Sequence, residues 1–336
     1  MACEATAYAR AGLIGNPSDG YFGKTVSFII RDFAAKVSLY EHPEVEIVPS
    51  MRDRSVYRSM RDLVEDVQAY GYYGAIRIVK ATIRKFSDYC DTHGIVLPEQ
   101  NFLIRYRTTI PRHVGLAGSS ALVTATLRCL MEFYDVEIPK HIQPNIILSV
   151  EIEELGISAG LQDRVIQVYE GCVYMDFNRG VMESRGYGEY EEIDPALLPN
   201  LYMAYRTGLA EGSEVFHNNI RERWKNGDPE IIDAMHDFAG YAKAVRDLLV
   251  SGHGEEIGPW LNKNFDRRRS IYRIAQDQID MVEKARSVGA SAKFAGSGGA
   301  IVGTYEDDAM FERLVEAFAG TDAAVIKPRI MQNSVA

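Results

Sequence analysis

A glycine- and serine-rich segment, Pro111–Ala121, most constrains what this chain can fold into. It follows Phe102–Thr109, whose alternating apolar residues predict a strand, and from Leu122 onward apolar residues recur at helical spacing. A glycine loop at the start of a helix can bind anions, because unpaired backbone N–H groups and the positive end of the helix dipole point toward the ligand. The segment can therefore hold phosphate groups, or it can be only a turn with helix caps, and its residues leave both interpretations open.

Four residues of this loop suit a phosphate ligand. Gly115 and Gly118 have no Cβ, so the backbone can approach phosphate oxygens closely. Ser119 and Ser120 can cap the helix, donate to a phosphate, or place a hydroxyl on Mg²⁺. The clustering of these residues at one helix start makes a nucleotide site a serious hypothesis.

Two other glycine-bearing segments resemble nucleotide-binding loops only in part. Gly296–Gly299 would need a further glycine where Ile301 stands, and the strand-like Ala300–Tyr305 follows it instead of a helix, which excludes a dinucleotide-binding fingerprint. Ser18–Thr25 ends like a Walker A loop, but a serine stands where the first glycine is required and a strand-like run follows. The three glycines at 296–299 indicate instead that the backbone approaches a ligand or another loop.

Composition and charge exclude several other classes of function. The 336 residues suit two domains of ~100–200 residues each. A formal net charge of -10 with scattered basic residues argues against a nucleic-acid partner. The four cysteines lack the spacing of a zinc site or a disulfide scaffold, and no signal peptide or apolar window of ~18 residues is visible. We therefore expect a soluble, cytoplasmic protein without a membrane partner. The sequence does not indicate its oligomeric state.

The remaining periodicities predict a chain of mixed helix and sheet. Short N-terminal strands are predicted near Ala5–Ala11, Thr25–Ile30, Ala35–Tyr40 and Val45–Pro49. The stretch Asn178–Asn200, rich in Gly, Glu and Pro, is predicted to be a linker or crossover. Long helices are predicted across Glu230–Val250 and Arg269–Val288, and Arg267-Arg268-Arg269 is interpreted as the solvated start of the second. The C-terminal order strand, loop, strand, helix, strand is typical of an α+β plait.

Two acidic residues differ from the others in their context. Glu151 lies inside the predicted helix Ile142–Leu155, and Asp163 lies at the start of the predicted helix Leu161–Tyr169, after a break at Gly156–Gly160. Acids on helices are usually solvated, and an acid near a helix N-terminus can simply be favoured by the dipole. The sequence leaves a structural and a functional role open for both.

Taken in this order, the glycine segments resemble the motifs of the GHMP kinase superfamily, named for galactokinase, homoserine kinase, mevalonate kinase and phosphomevalonate kinase. Arg10–Gly15 followed by Asp19 resembles the first motif, Pro111–Ala121 the phosphate loop, and Lys293–Ala300 the third, glycine-rich motif. The resemblance implies a two-domain α+β fold. A ribosomal-protein-like β/α domain would occupy residues 1–185, a ferredoxin-like α/β plait residues 195–336, and the active site would lie between them.

The resemblance also implies a role for each candidate residue. ATP would be bound by Pro111, Gly115, Leu116, Ala117, Gly118, Ser119, Ser120 and Ala121. Glu151 and Asp163, twelve residues apart, match the spacing of the magnesium-binding Glu and the catalytic Asp of galactokinase-like members, so Mg²⁺ would be held by Ser120 and Glu151. The catalytic residues would be Asp163, Arg10 and Lys24. The substrate would contact Arg10, Asp19, Asp163, Arg164, Gly296, Ser297 and Gly298.

Departures from the galactokinase pattern narrow the substrate. Asn16-Pro17 stand where galactokinases carry Glu-His, which disfavours galactose. The phosphate loop has one extra residue, Gly-Leu-Ala-Gly-Ser-Ser, and together with Gly71–Gly74 and Gly160–Val165 it is similar to the plant-type glucuronokinases. This similarity implies ATP-dependent phosphorylation of D-glucuronate on its anomeric oxygen, giving glucuronate 1-phosphate and ADP.

A uronic acid needs a cationic partner, which Arg164, Arg10 or Lys24 could supply. Two alternatives stay open at this point. One is a GHMP kinase for another sugar or a mevalonate-like acid, and the other is a non-catalytic sugar sensor on the same fold.

Overall fold

The computed structural model describes residues 2–49, 74–208 and 220–332. The strands in these ranges are β1 (Ala2–Ile14), β2 (Lys24–Glu41), β3 (Glu46–Val48), β4 (Phe102–Thr108), β5 (Cys172–Asp176), β6 (Glu189–Ile193), β7 (Leu201–Arg206), β8 (Lys293–Phe294), β9 (Ala300–Thr304) and β10 (Ala323–Ile326). The α-helices are α1 (Ala75–Thr92), α2 (Gly118–Tyr134), α3 (Gln143–Ser149), α4 (Gln162–Tyr169), α5 (Arg179–Arg185), α6 (Ile220–Lys225), α7 (Pro229–Val250), α8 (Gly258–Ile271), α9 (Gln276–Ser287) and α10 (Asp308–Phe318). Of the segment similar to glucuronokinases at 71–74, residues 71–73 lie outside the described residues.

Contacts group the chain into two compact units, each of which is described by itself. The first unit comprises Met1–Ala9, Phe33–Ile110 and Ala117–Val168. The second unit comprises Arg10–Asp32, Pro111–Leu116 and Tyr169–Ala336. The chain therefore passes from the second unit into the first within the predicted phosphate loop, between Leu116 and Ala117. The domain limits at 1–185 and 195–336 stay a prediction.

The first unit contains strand pairs and several helices, of which α1 and α2 are the longest. The second half of β2 pairs antiparallel with β4, from Ala35 opposite Thr108 to Glu41 opposite Phe102, and β3 lies parallel to β4. Helices α1 and α2 pack against each other, and α2 also contacts β4. Helix α2 is buried along most of its length, which explains its run of apolar and small residues.

The end of α3 carries a change of helical geometry. The helix predicted at Ile142–Leu155 is α-helical only over Gln143–Ser149 and continues as a π-helical turn at Val150–Glu154. Short π-helical turns inside helices are rare and occur frequently at functional sites. Glu151 lies in this turn.

The second unit opens with a further set of strand pairs. The first half of β2 pairs with β5, and β5 pairs antiparallel with β6, Cys172 lying opposite Ile193 and Asp176 opposite Glu189. The prediction of a linker at Asn178–Asn200 is therefore wrong, because this stretch contains α5 and β6. Its polar composition reflects a short helix with no buried residue and a strand in which only Ile193 is buried.

The second unit ends in a four-stranded antiparallel sheet with the strand order β10-β7-β9-β8. Along the chain the order is β7, helices, β8, β9, α10 and β10, which is the connectivity of a ferredoxin-like plait. A buried cluster that includes Tyr202, Phe265, Phe294 and Leu314 joins the sheet to its helices. The predicted α+β fold with a C-terminal plait is confirmed.

The prediction of one helix across Arg269–Val288 is wrong. Helix α8 ends at Ile271 and α9 begins at Gln276, so the chain is not helical between them. Arg267–Arg269 accordingly lies at the end of α8 and not at a helix start, a position where the helix dipole favours positive charge. The interpretation as a solvated triplet is also wrong for Arg268, which is only 6% exposed.

All four cysteines are buried free thiols, and burial raises the pKa of Cys129 and Cys172 to about 12. Within residues 2–49, 74–208 and 220–332, every helix is too short or too polar to cross a membrane.

Candidate active site

The start of α2 in the first unit has the features of an anion site. Ala117, just before the helix, has the left-handed backbone conformation with φ 61°, and no side chain caps the first turn. The hydroxyl oxygen of Ser119 is buried and has no hydrogen-bond partner among the described residues. The Ser120 hydroxyl donates to the Ala117 carbonyl at 3.2 Å, and Gln167 donates to the same carbonyl at 2.9 Å. Uncapped N–H groups beside an unused buried hydroxyl fit the phosphate chain of ATP.

The part of the phosphate loop that belongs to the second unit packs on the glycine segment at 296–299. Gly115 has φ 67°, and a Cβ added there would lie 2.7 Å from the Ser297 N atom. A Cβ on Gly296 would collide with the Gly115 carbonyl, and one on Gly299 would lie 2.8 Å from Val114 Cα. These glycines let two loops approach each other, which is one of the two alternatives that the sequence left open.

Arg10 and Arg268 hold these loops in place by donating hydrogen bonds to their main-chain carbonyls. Arg10 is 5% exposed, and its Nη1 atom donates to the carbonyls of Gly115 at 2.6 Å and Ala295 at 3.0 Å. Arg268 Nη1 donates to the Gly296 carbonyl at 2.8 Å. These contacts give Arg10 a structural task, and its catalytic and substrate-binding roles stay predictions.

Lys293 is the third buried cation of this region. Its ammonium group donates to the carbonyls of Gly12 and Phe294 and to Asn16 Oδ1, each at 2.7 Å. Burial, with Arg268 and Arg10 close by, holds the pKa of Lys293 well below its usual range. We call Arg10, Arg268 and Lys293 the cationic cluster.

A second cluster lies in the first unit, where the predicted metal ligand meets the predicted catalytic acid. Glu151 is 2% exposed, and its carboxylate is ion-paired with the guanidinium of Arg164. Arg164 Nη1 donates to the Gly160 carbonyl at 2.8 Å and lies 3.5 Å from Asp163 Oδ2. The side chain of Asp163 is 19% exposed, at the start of α4. We call Glu151, Arg164 and Asp163 the acidic cluster.

The donor set of the first unit suits a magnesium ion. Ser120 offers a hydroxyl oxygen and Glu151 a carboxylate oxygen, the hard ligands that Mg²⁺ prefers. The residue types therefore fit the ion. In this structure the Glu151 carboxylate is ion-paired with the Arg164 guanidinium. The magnesium-binding roles stay predictions.

Two predicted residues of the second unit lie near the first motif. Asp19 is half-buried in the 3₁₀ turn Ser18–Tyr21. Lys24 is ion-paired with Asp176. Burial acts to lower the pKa of Lys24, but the hydrogen bond to Asp176 and the nearby Tyr174 outweigh it and raise the pKa. Lys24 thus has a carboxylate partner within the protein itself.

The other predicted residues line the two loops. Leu116 and Ala121 are buried, Pro111 is half-buried, and Gly298 has φ 140°. The sequence interpretation missed the buried position of Arg268, although a signal was present. Leu261, Phe265 and Arg268 follow helical spacing, which places the arginine on the buried face of α8.

Known proteins are similar to this chain in sequence and in fold. Residues 77–171 match the family model described as the GHMP kinases N terminal domain. The chain is 42% identical over 307 residues to glucuronokinase 1 of Arabidopsis thaliana, a match that covers 90% of this chain and 84% of that protein. It is 41% identical over 332 residues to probable glucuronokinase 2 of the same plant, covering 97% of this chain and 90% of that protein. The structure of Lactococcus lactis galactokinase complexed with galactose has a similar fold, with a TM-score of 0.76, 15% identity, and coverage of 99% and 95%.

Proposed function

The chain belongs to the GHMP kinase superfamily and, within it, to the family of the glucuronokinases, and we propose that it transfers the γ-phosphoryl group of ATP to the anomeric oxygen of D-glucuronate. The products are glucuronate 1-phosphate and ADP, so the enzyme is a phosphotransferase with an alcohol group as acceptor. The observation that carries the proposal is the 42% identity to a glucuronokinase over 90% of the chain.

The start of α2 would hold the phosphates of ATP. The first-turn N–H groups point along the positive end of a 17-residue helix, and the buried Ser119 hydroxyl can donate to a phosphate oxygen. Ser120 and Glu151 would hold Mg²⁺, which neutralises negative charge on the phosphates when it is bound. Because phosphoryl transfer is largely dissociative, positioning and charge neutralisation contribute more to the rate than proton removal does.

Asp163 would orient the attacking hydroxyl and accept its proton. The carboxylate is partly exposed, so a substrate can reach it, and it lies within 3.5 Å of a guanidinium nitrogen of Arg164. A carboxylate in this position can act as a general base by accepting the proton of a substrate hydroxyl.

The substrate carboxylate would be met by a cation, and the three candidates differ in their present partners. Arg10 donates to main-chain carbonyls inside a buried cluster, and Lys24 is paired with Asp176. Arg164 is paired with Glu151 but lies beside the predicted catalytic acid, so it is the candidate nearest to the proposed chemistry.

The test measures ADP release by the full chain with Mg²⁺ and ATP on D-glucuronate, D-galacturonate, glucose and galactose. We expect turnover on glucuronate above that on the neutral sugars, and ³¹P NMR should identify the product as a 1-phosphate. Equal rates on uronates and neutral sugars would refute the uronate assignment and favour a kinase for another sugar. ATP binding without turnover on any sugar or mevalonate-like acid would favour a sensor.

A further inference from the structure

We propose that Arg164 is a built-in counter-cation for Glu151, which a metal ion must displace before Glu151 can act as its ligand. The inference rests on the proposed function, because it takes Glu151 as a magnesium ligand. It assigns to Arg164 a positioning role that is separate from any contact with the substrate.

The geometry fixes the guanidinium on the acid. Glu151 and Arg164 are 2% and 5% exposed, so water screens their interaction little. One terminal nitrogen of Arg164 contacts the Glu151 carboxylate, while the other donates to the Gly160 carbonyl at 2.8 Å. A guanidinium can satisfy both acceptors at once because its nitrogens form a rigid planar fork.

The backbone holds the carboxylate where the guanidinium meets it. Glu151 lies in the π-helical turn, and its own carbonyl accepts a hydrogen bond from the Ile157 N–H group at 2.8 Å. Both partners are therefore anchored through the main chain, one in the turn after α3 and the other in the first turn of α4. The ion pair is a fixed element of the free protein and not a contact between two mobile surface chains.

Electrostatics makes the pair and a metal site mutually exclusive. A buried carboxylate without a counter-ion is strongly unfavourable, so the free protein needs Arg164 on Glu151. A divalent cation on the same carboxylate is repelled by a guanidinium in contact with it. Arg164 and the metal ion therefore compete for Glu151, and each weakens the binding of the other by the same factor.

Asp163 can become the carboxylate partner of the displaced Arg164 guanidinium. Arg164 Nη1 already lies 3.5 Å from Asp163 Oδ2, so the side chain can leave Glu151 and keep a carboxylate partner with a small movement. Loss of the Glu151 contact would then tighten the contact with Asp163. The exchange links metal binding to the orientation of the acid that is proposed to act on the substrate hydroxyl.

The experiment titrates Mn²⁺ into the full chain without nucleotide and follows free Mn²⁺ by EPR, since Mn²⁺ accepts the same oxygen ligands as Mg²⁺. Arg164→Gln should bind Mn²⁺ about tenfold more tightly than the wild type or better, within the usual range of coupling between two sites. Without metal this variant should melt at a lower temperature, by on the order of 5 °C or more, and Mn²⁺ should restore more of its Tm than it adds to the wild type. An affinity for Mn²⁺ no higher than that of the wild type would overturn the proposal.

Two controls isolate the exchange from general damage. Arg128→Gln removes another arginine of the first unit, one that donates to the main-chain carbonyls of Thr6 and Gln167, and it should lower the Tm without changing the affinity for Mn²⁺. Adding Glu151→Gln to Arg164→Gln should abolish the gain in affinity. A gain that persists in this double variant would show that the metal binds elsewhere, and would also overturn the proposal.

Poor folding of Arg164→Gln does not remove the test. If a metal ion can replace the guanidinium on Glu151, refolding in Mn²⁺ should recover folded protein, and refolding that is equally poor with and without Mn²⁺ would contradict the exchange. The proposed function is judged separately, by the turnover of the wild-type protein on glucuronate. Tighter Mn²⁺ binding by the variant alongside a wild type that phosphorylates no uronate would retain the exchange and reject the substrate.

Discussion

The acidic cluster of the first unit is buried except for the partly exposed Asp163, and the cationic cluster of the second unit is buried throughout, but the two clusters meet different partners. In the acidic cluster a guanidinium meets carboxylates, so charges of opposite sign face each other. In the cationic cluster the hydrogen bonds described above for Arg10, Arg268 and Lys293 go to neutral carbonyl or amide oxygens. These neutral acceptors hold the loops at 115 and 296 in place.

The two clusters therefore suit different roles, one in binding ligands and the other in holding loops. An ion pair whose members have alternative partners can exchange, which suits residues that must bind a metal ion and a substrate in turn. Cations that donate to main-chain oxygens are tied to the backbone, which suits residues that set the shape of a loop. We therefore expect substitutions in the acidic cluster to change rates and ligand affinities, with or without a loss of stability, and substitutions in the cationic cluster to change mainly stability.

The largest effect on rate is expected for Asp163→Asn. Removing the proposed base while keeping the shape of the side chain should lower the turnover number by about 10²–10⁴, the usual contribution of general base catalysis. Affinity for ATP should stay near that of the wild type, because the proposed phosphate site is formed by the start of α2. Steady-state kinetics with glucuronate and a nucleotide-binding titration check the two expectations. Turnover close to that of the wild type would contradict the assignment of Asp163.

For the cationic cluster, Lys293→Met should act mainly on stability. The change leaves three buried oxygen acceptors without their donor, and each unsatisfied buried acceptor costs about 1–3 kcal/mol. Relief of the buried charge offsets part of this cost, so we expect the free energy of unfolding to fall by about 3 kcal/mol, measured by urea denaturation. Lys263→Met is a matched control, since Lys263 is exposed and lies over the Trp260 ring, and it should cost about 1 kcal/mol or less. Equal losses in the two variants would contradict the structural role assigned to Lys293.

The sequence predicted those parts of the molecule that rest on local pattern. The strand–loop–helix around Pro111–Ala121 and the C-terminal plait follow from periodicity and glycine placement, and both are found at those positions. The sequence predicted two strands at Thr25–Ile30 and Ala35–Tyr40, but they form one strand, β2. The residues between them alternate less regularly in polarity and are nevertheless extended. Strand β6 was missed because a strand that is rich in glutamate and has one buried residue gives no apolar signal.

The site could be predicted only as a set of residue types. The resemblance to the GHMP kinases implied roles for Glu151 and Asp163, but neither it nor the residue spacing indicated the ion pair between Glu151 and Arg164 or the π-helical turn that carries Glu151. The contact between Lys293 and Gly12 joins residues 281 positions apart, so no local pattern could predict it. Long-range hydrogen bonds of this kind decide which candidate cations are structural and which are exchangeable.

The smallest effect is expected for Ser119→Ala, and it separates ligand binding from stability most cleanly. The buried hydroxyl has no partner within the described residues, so its loss should leave the free energy of unfolding unchanged or raise it slightly. If the hydroxyl donates to a phosphate oxygen, affinity for ATP should fall about tenfold, the value of one hydrogen bond to a charged group. Thr126→Val is the matched control on the same helix, because its hydroxyl donates to the Leu122 carbonyl at 2.8 Å, and it should reduce stability without changing ATP affinity. Unchanged nucleotide affinity in Ser119→Ala would mean that the orphan hydroxyl is a packing feature of α2, and the phosphates would then have to be held by the first-turn N–H groups alone.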